Sequence, residues 1–447
     1  MNGESLQYVH RGIQEALAAG AEAVEGFLLR STETTVEVKE GQVNTFALAD
    51  EAGLGLRLIL DRRMGFNFTS DLSQGAFHQL IEDALQAAKA SAPDPSYRFP
   101  EPFSEYPWLP LHDPSLKKVS VEEKIDRARA LERAALVFDT RIRKIRKAAY
   151  RDADYHALIV NSLGLQASFS GTYCTASTSV VAEEDGEAET GWEFDFARSF
   201  QELRVEEVGK KAAERAVRML GAKALSTRRT DVLLDPGVAS DFLELLASAL
   251  SGEAVQKGKS LLAGKVGQRI GSEMITLIDD GTFLKGMFAA PCDGEGVPSC
   301  RTILVDAGVL QGYLYDTYHA VKAGTRSTAS ARRSGYRLSP EVGPSNLFIE
   351  PGQSSPSDLM QAMGRGLYIL SALGMHTANP VSGDFSIGVE GFWVEEGRIA
   401  FPVRGVTLAG NVLELLQQVD GVGADLRFFG RTGSPTLLVQ GLQIAGD

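Results

Sequence analysis

The residues best able to do chemistry in this 447-residue chain are few and scattered. Its six histidines are His10, His78, His112, His156, His319 and His376. A helical zinc-peptidase motif needs two histidines on one helix, with a nearby glutamate as general base for a metal-bound water. No two histidines are close in sequence, so the chain carries no such motif. Cys292 and Cys300 flank Asp293 and Glu295, but a Cys-x7-Cys spacing is not that of a zinc ribbon. Cysteine is more often just a small buried residue, and no metal ligands are assigned here. A hydrolase nucleophile in a Gly-x-Ser-x-Gly elbow is also absent. Ser386, with Asp384 and the upstream His376, could be assembled into a Ser/His/Asp triad. The same residues lie in a glycine-rich stretch, Ser382-Gly383-Asp384, where short polar side chains more often satisfy turn backbone. Gly364-Arg365-Gly366 and Gly421-Val422-Gly423 lack the spacing and the Lys-Ser/Thr of a phosphate loop.

The elements that must position these residues are read from periodicity. Leu6, Val9, Ile13 and Leu17 recur at three- and four-residue spacing and predict a helix ended by Gly20, with His10 on its flank. Thr35 to Lys39 alternates strictly, and Glu40-Gly41-Gln42 reads as a turn. Strands over 43–48, 53–60 and 65–69 follow, with Asp61-Arg62-Arg63 as a second turn, so an antiparallel meander is expected. Phe77, Leu80, Ile81, Ala84 and Leu85 mark a helix over 74–90. Residues 92–118 hold seven prolines and read as an irregular connection. Ser120-Val121-Glu122-Glu123 is a capping-box pattern opening a helix to about Val137. Strands over 142–200, a helix over 205–220 and a linker over 222–229 complete the first half. The second half opens with a strand, 231–234, and Asp235-Pro236-Gly237 turns it into a helix through Phe242, Leu245, Leu246, Ala249 and Leu250. Beyond it the pattern is mostly strand, broken by helices near 356–370 and 413–418. The expected fold is α+β in two domains. Residues 1–225 form antiparallel hairpins packed with helices, and 226–447 a mostly antiparallel β domain with a few helices.

Composition narrows the function classes. Asp plus Glu is 58 against 45 Lys plus Arg, a net charge of -13, which repels phosphate backbones and anionic lipid. The densest basic group, Arg326 with Arg332 and Arg333, is too small for a nucleic-acid footprint. Three cysteines make no disulfide framework and point to a reducing compartment. The N-terminus has no basic region followed by an apolar core, and no stretch approaches the roughly 20 apolar residues of a membrane span. A cytoplasmic protein that binds neither nucleic acid nor membrane is expected. Strand-rich, glycine-rich backbone can bind an extended peptide by strand addition, but taken alone it reads as ordinary sheet.

A set of ordered segments is more specific. Asp293-Gly294-Glu295-Gly296-Val297-Pro298 precedes Ile303 to Leu310, then Tyr313-Leu314-Tyr315-Asp316, Ala323 to Thr328 and Pro344-Ser345-Asn346. Ser382-Gly383-Asp384-Phe385-Ser386, Gly391 to Glu395, Thr407 to Asn411 and Val422 to Leu426 follow. This series resembles the C-terminal domain of the TldD/PmbA family, and the hairpins with Gly53 to Arg57 and Gly65-Phe66 resemble its first domain. The resemblance covers nearly the whole chain.

That resemblance implies a cytoplasmic peptidase built from two kinds of subunit, acting on unfolded or small peptides. TldD-type chains carry a His-Glu-x-x-x-His zinc motif and a C-terminal cysteine ligand; PmbA-type (TldE) chains lack both. The family's older name, modulator of DNA gyrase, is taken to reflect genetic effects rather than DNA binding. Here the motif helix falls at Leu243-Glu244-Leu245-Leu246-Ala247-Ser248, with Leu243 and Ser248 where the histidines would stand. Only Glu244 is retained, and without a metal it has no water to activate. The tail, Arg427 to Thr436, has no cysteine. The expectation is therefore a PmbA/TldE-type subunit with no cofactor of its own. Zinc is expected only in a TldD-type partner, in a heterodimer or, for this chain alone, a homodimer. Candidate chamber walls are 286–297, with Asp293 and Glu295, and 382–397, with Ser382, Gly383 and Asp384. Two rival readings stand beside it: a metal-independent peptidase working alone through Ser386, His376 and Asp384, or a non-enzymatic peptide-binding or scaffold protein.

Overall fold

Long antiparallel hairpins dominate the first half of the computed structural model, which describes residues 3–446. The chain divides into two units. Unit 1 takes residues 1–102, 110–221 and the short segment 334–339; unit 2 takes 103–109, 222–333 and 340–447. The exchanged segments 103–109 and 334–339 have no counterpart in the sequence reading.

Unit 1 contains α1 (Gly3–Ala18), β1 (Ala23–Lys39), β2 (Gln42–Leu60), β3 (Arg63–Thr69), α2 (Gln74–Ala90), α3 (Val121–Leu136), β4 (Ile142–Asn161), β5 (Gln166–Glu184), β6 (Glu187–Ala197) and α4 (Val205–Met219). The strands form one antiparallel sheet in the order β3-β2-β1-β4-β5-β6. Side chains two apart share a face, so Val24 and Leu28 line up with Leu54, Leu56, Leu58, Leu158 and Val160 against α1 and α2. Further along the same face, Val36, Val38, Tyr150, Cys174 and Val180 pack against α3 and α4. The expected capping box at Ser120 is present at the start of α3, and Ser73 caps α2.

Two boundaries differ from expectation. β1 begins at Ala23, and β2 runs unbroken from 42 to 60 where the sequence reading had two strands. The stretch Ala47 to Ala52 does not alternate, but each of its residues pairs with β1, from Ala47 opposite Thr35 to Ala52 opposite Arg30, and this holds it extended. Both hairpin turns use left-handed residues: Glu40 (φ 55°) with Gly41 (φ 73°), and Asp61 (φ 50°) with Arg62 (φ 59°). The first tip is held by Glu132 of α3, whose carboxylate accepts the Glu40 and Gly41 N–H groups at 2.7 Å each.

The other sheet face carries a buried ion pair. Arg57 donates to Glu25 at 2.9 and 2.6 Å, with its guanidinium 5.2 Å from the Phe99 ring. Tyr336, from 334–339, fills space left by two glycines of β2. A Cβ at Gly53 would lie 2.1 Å from its ring, and one at Gly55 would lie 2.4 Å from its carbonyl oxygen.

Unit 2 opens with β7 (Arg228–Leu234), α5 (Pro236–Ala249), α6 (Gly252–Gln256), β8 (Leu277–Asp280), β9 (Arg301–Asp306), β10 (Val309–Leu310), α7 (Thr317–Ala323), β11 (Ala331–Arg332), β12 (Glu341–Val342) and β13 (Leu347–Ile349). It continues with α8 (Pro356–Met363), β14 (Gly366–Leu373), β15 (Asp384–Glu395), β16 (Arg398–Asn411), α9 (Val412–Gln417), β17 (Val419–Val422), β18 (Arg427–Phe429), β19 (Thr432–Ser434) and β20 (Leu437–Ala445). One sheet, β16-β15-β14-β7-β20-β17, closes on itself because β16 also pairs with β20. A second, β10-β9-β8-β13-β19-β18, lies across α5 from it, and α5 touches strands of both. Among the strands of the described residues, the β7–β14 and β13–β19 pairings are parallel and the others antiparallel, apart from isolated parallel bridges such as Lys223–Val403. The helix expected over 356–370 ends at Met363. Gly364 turns the chain at φ 63°, and β14 follows, because Leu367 and Ile369 pair beside β7 in the core. The short helices α6 and α7 were not anticipated. Among the described residues, no helix is long and apolar enough to cross a membrane.

Candidate functional site

The helix singled out by the sequence, α5, begins where Asp235 accepts the Gly237 N–H at 3.1 Å and Pro236 fills the first helical position. Val238, Phe242, Leu243, Leu246 and Ala249 are buried in the unit 2 core, and the Phe242 and Phe385 rings meet edge-on at 4.8 Å. This packing fixes which face of the helix is reachable. Glu244 and Ser248, four apart, are exposed, with Asp241 half-buried beside them. Leu243 is 3% exposed and lines a small apolar void with Leu246, Ile270, Ile275, Leu277 and Leu416. The Ser248 hydroxyl donates a hydrogen bond to the Leu245 carbonyl at 2.9 Å.

The accessible face of α5 therefore offers two carboxylates and a hydroxyl. Burial, followed by the charge of Glu244, pushes the Asp241 carboxyl up to about 6. This donor set does not suit zinc, which takes three or four His, Cys or carboxylate ligands. Among the described residues, no group of three or more His, Cys, Asp or Glu is placed to hold a metal ion. No metal-dependent step is derived for this chain. Asp241 was missed in the sequence reading. Its signal was the Asp-x-x-Glu spacing with Glu244, which puts two acids on adjacent turns of one face.

Asp293 and Glu295 come together as supports of their own loop. Asp293 accepts the N–H groups of Glu295 and Val297 at 2.9 Å each and that of Ala331 at 3.1 Å. Burial and the neighbouring Glu295 push its carboxyl up to about 8. Glu295 is 2% exposed and accepts the Thr317 N–H at 2.9 Å. Tyr106 donates to Gly296 O at 2.9 Å, and Arg333 to Gly294 O at 3.0 Å. Cys292 is buried and its thiol is pushed well up by that burial, whereas Cys300 is exposed; both are free thiols. The Pro344-Ser345-Asn346 segment has a similar bracing role. Ser345 donates its N–H and hydroxyl to Asp279, and Asn346 bridges Phe288 N and Asp280 O.

Ser382, Gly383 and Asp384 form a turn at the start of β15, with Ser382 and Asp384 exposed and Gly383 buried. Ser382 donates to Asp384 Oδ2 at 2.7 Å, and Asn411 donates to Asp384 Oδ1 and to Ser382 O at 2.9 Å each. These bonds, Asn411 first, hold the Asp384 carboxyl below its ordinary range. Gly383 sits at φ 81°, a left-handed position that suits glycine. Ser386 is exposed two residues further along β15, and His376 is exposed on the short 3-10 turn Met375–Thr377. Among the described residues, no hydrogen bond links His376 to Asp384 or to Ser386. Both Asp384 oxygens are taken up by the turn, leaving the imidazole without the orienting partner a triad needs.

Three family models match in succession along the chain: PmbA/TldA metallopeptidase domain 1 over residues 24–92, the central domain over 114–220 and the C-terminal domain over 227–446. The chain is 28% identical over 436 residues to metalloprotease PmbA of Escherichia coli O157:H7, covering 96% of this chain and 94% of that protein. It is 27% identical over 413 residues to a metalloprotease TldD homolog of Haemophilus influenzae, covering 89% of this chain and 84% of that one. A crystal structure from Thermotoga maritima, described as a modulator of a DNA gyrase, superposes with a TM-score of 0.91 at 29% identity, covering 98% of this chain and 99% of that one.

Proposed function

This chain belongs to the PmbA/TldD family of metallopeptidases, and we propose that it serves there as the PmbA/TldE-type subunit, without a zinc site of its own. The observation that carries this reading is the make-up of α5. Of the two positions where the motif's histidines would stand, Leu243 is committed to the hydrophobic core and Ser248 is a hydroxyl bonded to its own helix. Glu244 keeps the general-base letter on the reachable face, where among the described residues no group of three or more potential metal ligands is gathered.

In this reading the zinc and its water come from a TldD-type partner chain, and the present chain supplies walls that hold an unfolded or small peptide. Ser382 and Asp384 are the better candidates for contact with peptide, their side chains being exposed. Asp293 and Glu295 act from behind, by shaping their loop. Existence of both PmbA-type and TldD-type relatives is consistent with a two-chain enzyme.

Co-expression with a TldD-type chain, size exclusion and a peptide-cleavage assay test the proposal. A mixed complex that cleaves peptides and loses activity with chelator is expected, while the isolated chain is inactive with or without added zinc. Chelator-resistant cleavage by the isolated chain, or failure to form any mixed species, defeats it.

A further inference from the structure

The densest basic run of the chain is not Arg326 with Arg332 and Arg333 but the opening of β4, where Arg141, Arg143, Lys144, Arg146 and Lys147 follow closely on one another. Ile142, Ile145 and Ala148 of this stretch are buried in the core under α3 and α4. In a regular strand, alternation would send some of the cations inward with them. Two register shifts prevent that. Ile142 pairs with Ala182, Lys144 with Val181, Ile145 with Val180, Lys147 with Ser179 and Ala148 with Thr178, so Arg143 and Arg146 are extra residues in the ladder. At such a bulge two consecutive residues oppose one on the neighbouring strand. Arg143 with Lys144, and Arg146 with Lys147, are therefore exposed together on the sheet face away from the helices.

The β4 ladder to β1 ends at Ala148, so this stretch is also an edge. A single bulge or lysine is enough to protect an edge, and four crowded cations exceed that need. Like charges side by side destabilise a sheet. The chain has acids to spare, 58 against 45 bases, yet commits few of them here. Arg141 is held by Asp139 and Glu184 at 2.8 and 3.0 Å, and Lys147 shares Glu37 with Arg151 at 2.8 and 3.9 Å. Among the described residues, no ion pair or side-chain hydrogen bond holds Arg143, Lys144 or Arg146, although Glu183 is exposed on the same face, two residues past Val181.

We infer that this face is a docking surface for an extended acidic peptide whose carboxylates stand two residues apart. Charge and register select the occupant. Lys144 and Lys147 are three apart in sequence but lie opposite Val181 and Ser179, which are two apart, so the bulge brings them to the roughly 7 Å spacing of alternate side chains on a strand. An extended Asp/Glu-x-Asp/Glu segment has the same period and sets one carboxylate on each lysine, with Arg143 and Arg146 beside them for further charge-assisted bonds. Single-stranded nucleic acid is the rival occupant, because Trp192 stands opposite Ser179 on the same face and is 48% exposed. The acids around the patch disfavour it. Glu37, Glu183 and Glu184 would lie beside an unbroken line of phosphates, whereas a peptide carries its charge only at chosen residues. The inference rests on the peptide-handling reading for the source of such a peptide, and it makes acidic segments the preferred substrate class of this subunit.

The test is fluorescence anisotropy on the isolated chain with three short labelled probes: a peptide with Glu and Val alternating, an isomer of the same composition with its glutamates three residues apart, and oligothymidylate. The alternating peptide is expected to bind, and to be released as salt rises towards about 0.5 M. The isomer and the oligothymidylate are expected to bind about tenfold more weakly or not at all. A Lys144→Glu, Lys147→Glu double variant, folded by circular dichroism, should weaken the alternating peptide by about tenfold or more, since two attractive pairs become repulsive. Lys210→Glu with Lys211→Glu on exposed positions of α4 makes the same change in net charge and should leave binding as it was. No binding at low salt overturns the inference. So does unchanged binding in the Lys144/Lys147 variant, an equal loss in the α4 variant, or equal affinity for the isomer or the oligothymidylate. An active mixed complex whose present chain binds none of the probes defeats this inference alone, and peptide binding by a chain that forms no mixed complex supports the surface while defeating the subunit reading.

Discussion

Restoring the two missing histidines, by Leu243→His with Ser248→His, should not restore a zinc site. The two positions lie five residues apart, about 140° around the helix. Ser248 is on the solvent side, and Leu243 is 3% exposed against the unit 2 core. Ser248→His alone exchanges residues of similar helix propensity on an exposed face and should change stability by no more than about 0.5 kcal/mol. Leu243→His forfeits a buried leucine, roughly 2–3 kcal/mol, and leaves an imidazole among Leu246, Ile270, Ile275 and Leu416 with no hydrogen-bond partner, about 1–3 kcal/mol more. The sum, about 3–6 kcal/mol, is a large part of the ~5–15 kcal/mol that holds a typical domain together. Urea unfolding followed by circular dichroism should therefore place the double variant near the single Leu243→His variant, far below wild type. Isothermal titration should detect no stoichiometric zinc in either. If Leu243→His costs under about 1 kcal/mol, and the double variant binds one zinc per chain with a rise in its unfolding midpoint, the assignment of Leu243 to the core is wrong.

Asp241 gives a pH-dependent prediction. Its carboxyl sits at about 6 in the fold and near ~3.9 in an unfolded chain, so the folded state holds the proton more tightly. The stabilisation this confers is present below about pH 4 and is lost as pH rises through 6. Asp241→Asn should therefore stabilise the fold at pH 7.5 by on the order of 1 kcal/mol after solvent screening, seen as a higher thermal midpoint, and make no difference at pH 4. Glu25→Ala removes the carboxylate that pairs with the buried Arg57 guanidinium, and should cost about 3–5 kcal/mol in denaturant unfolding; Glu25→Leu with Arg57→Met should recover most of it. Gly55→Ala drives a methyl against the Tyr336 carbonyl, which lies 2.4 Å from the new Cβ. It should cost about 1–3 kcal/mol, and trypsin should cut after Arg337 faster than in wild type.

Much of the local architecture could be read without coordinates because local rules decide it. The Ser120 capping box, the Asp235-Pro236 start of α5 and the two charged hairpin turns are set by residues within a few positions of one another. The lengths of β1 and β2 could not be read this way. They run through stretches with poor alternation, held by pairing with strands more than a hundred residues away in the case of β4. Residues 366–370, the first part of the strand at 366–373, read as helix for the same reason: their place beside β7 outweighs their local pattern.

For the candidate site the division is similar. The letters by themselves determine that no two histidines share a helix, that the tail lacks a cysteine, and that Glu244 is kept; none of this depends on a fold. Tertiary structure alone decides that Leu243 belongs to the core while Ser248 faces outward, since a helix wedged between two sheets can present only one face. It also decides that Asp293 and Asp384, which look alike as exposed acids in glycine-rich sequence, spend their oxygens on backbone and on neighbouring side chains respectively. Hydrogen-bond partners come from strands distant in sequence, Ala331 of β11 for one and Asn411 at the end of β16 for the other, and only the folded chain brings them within reach.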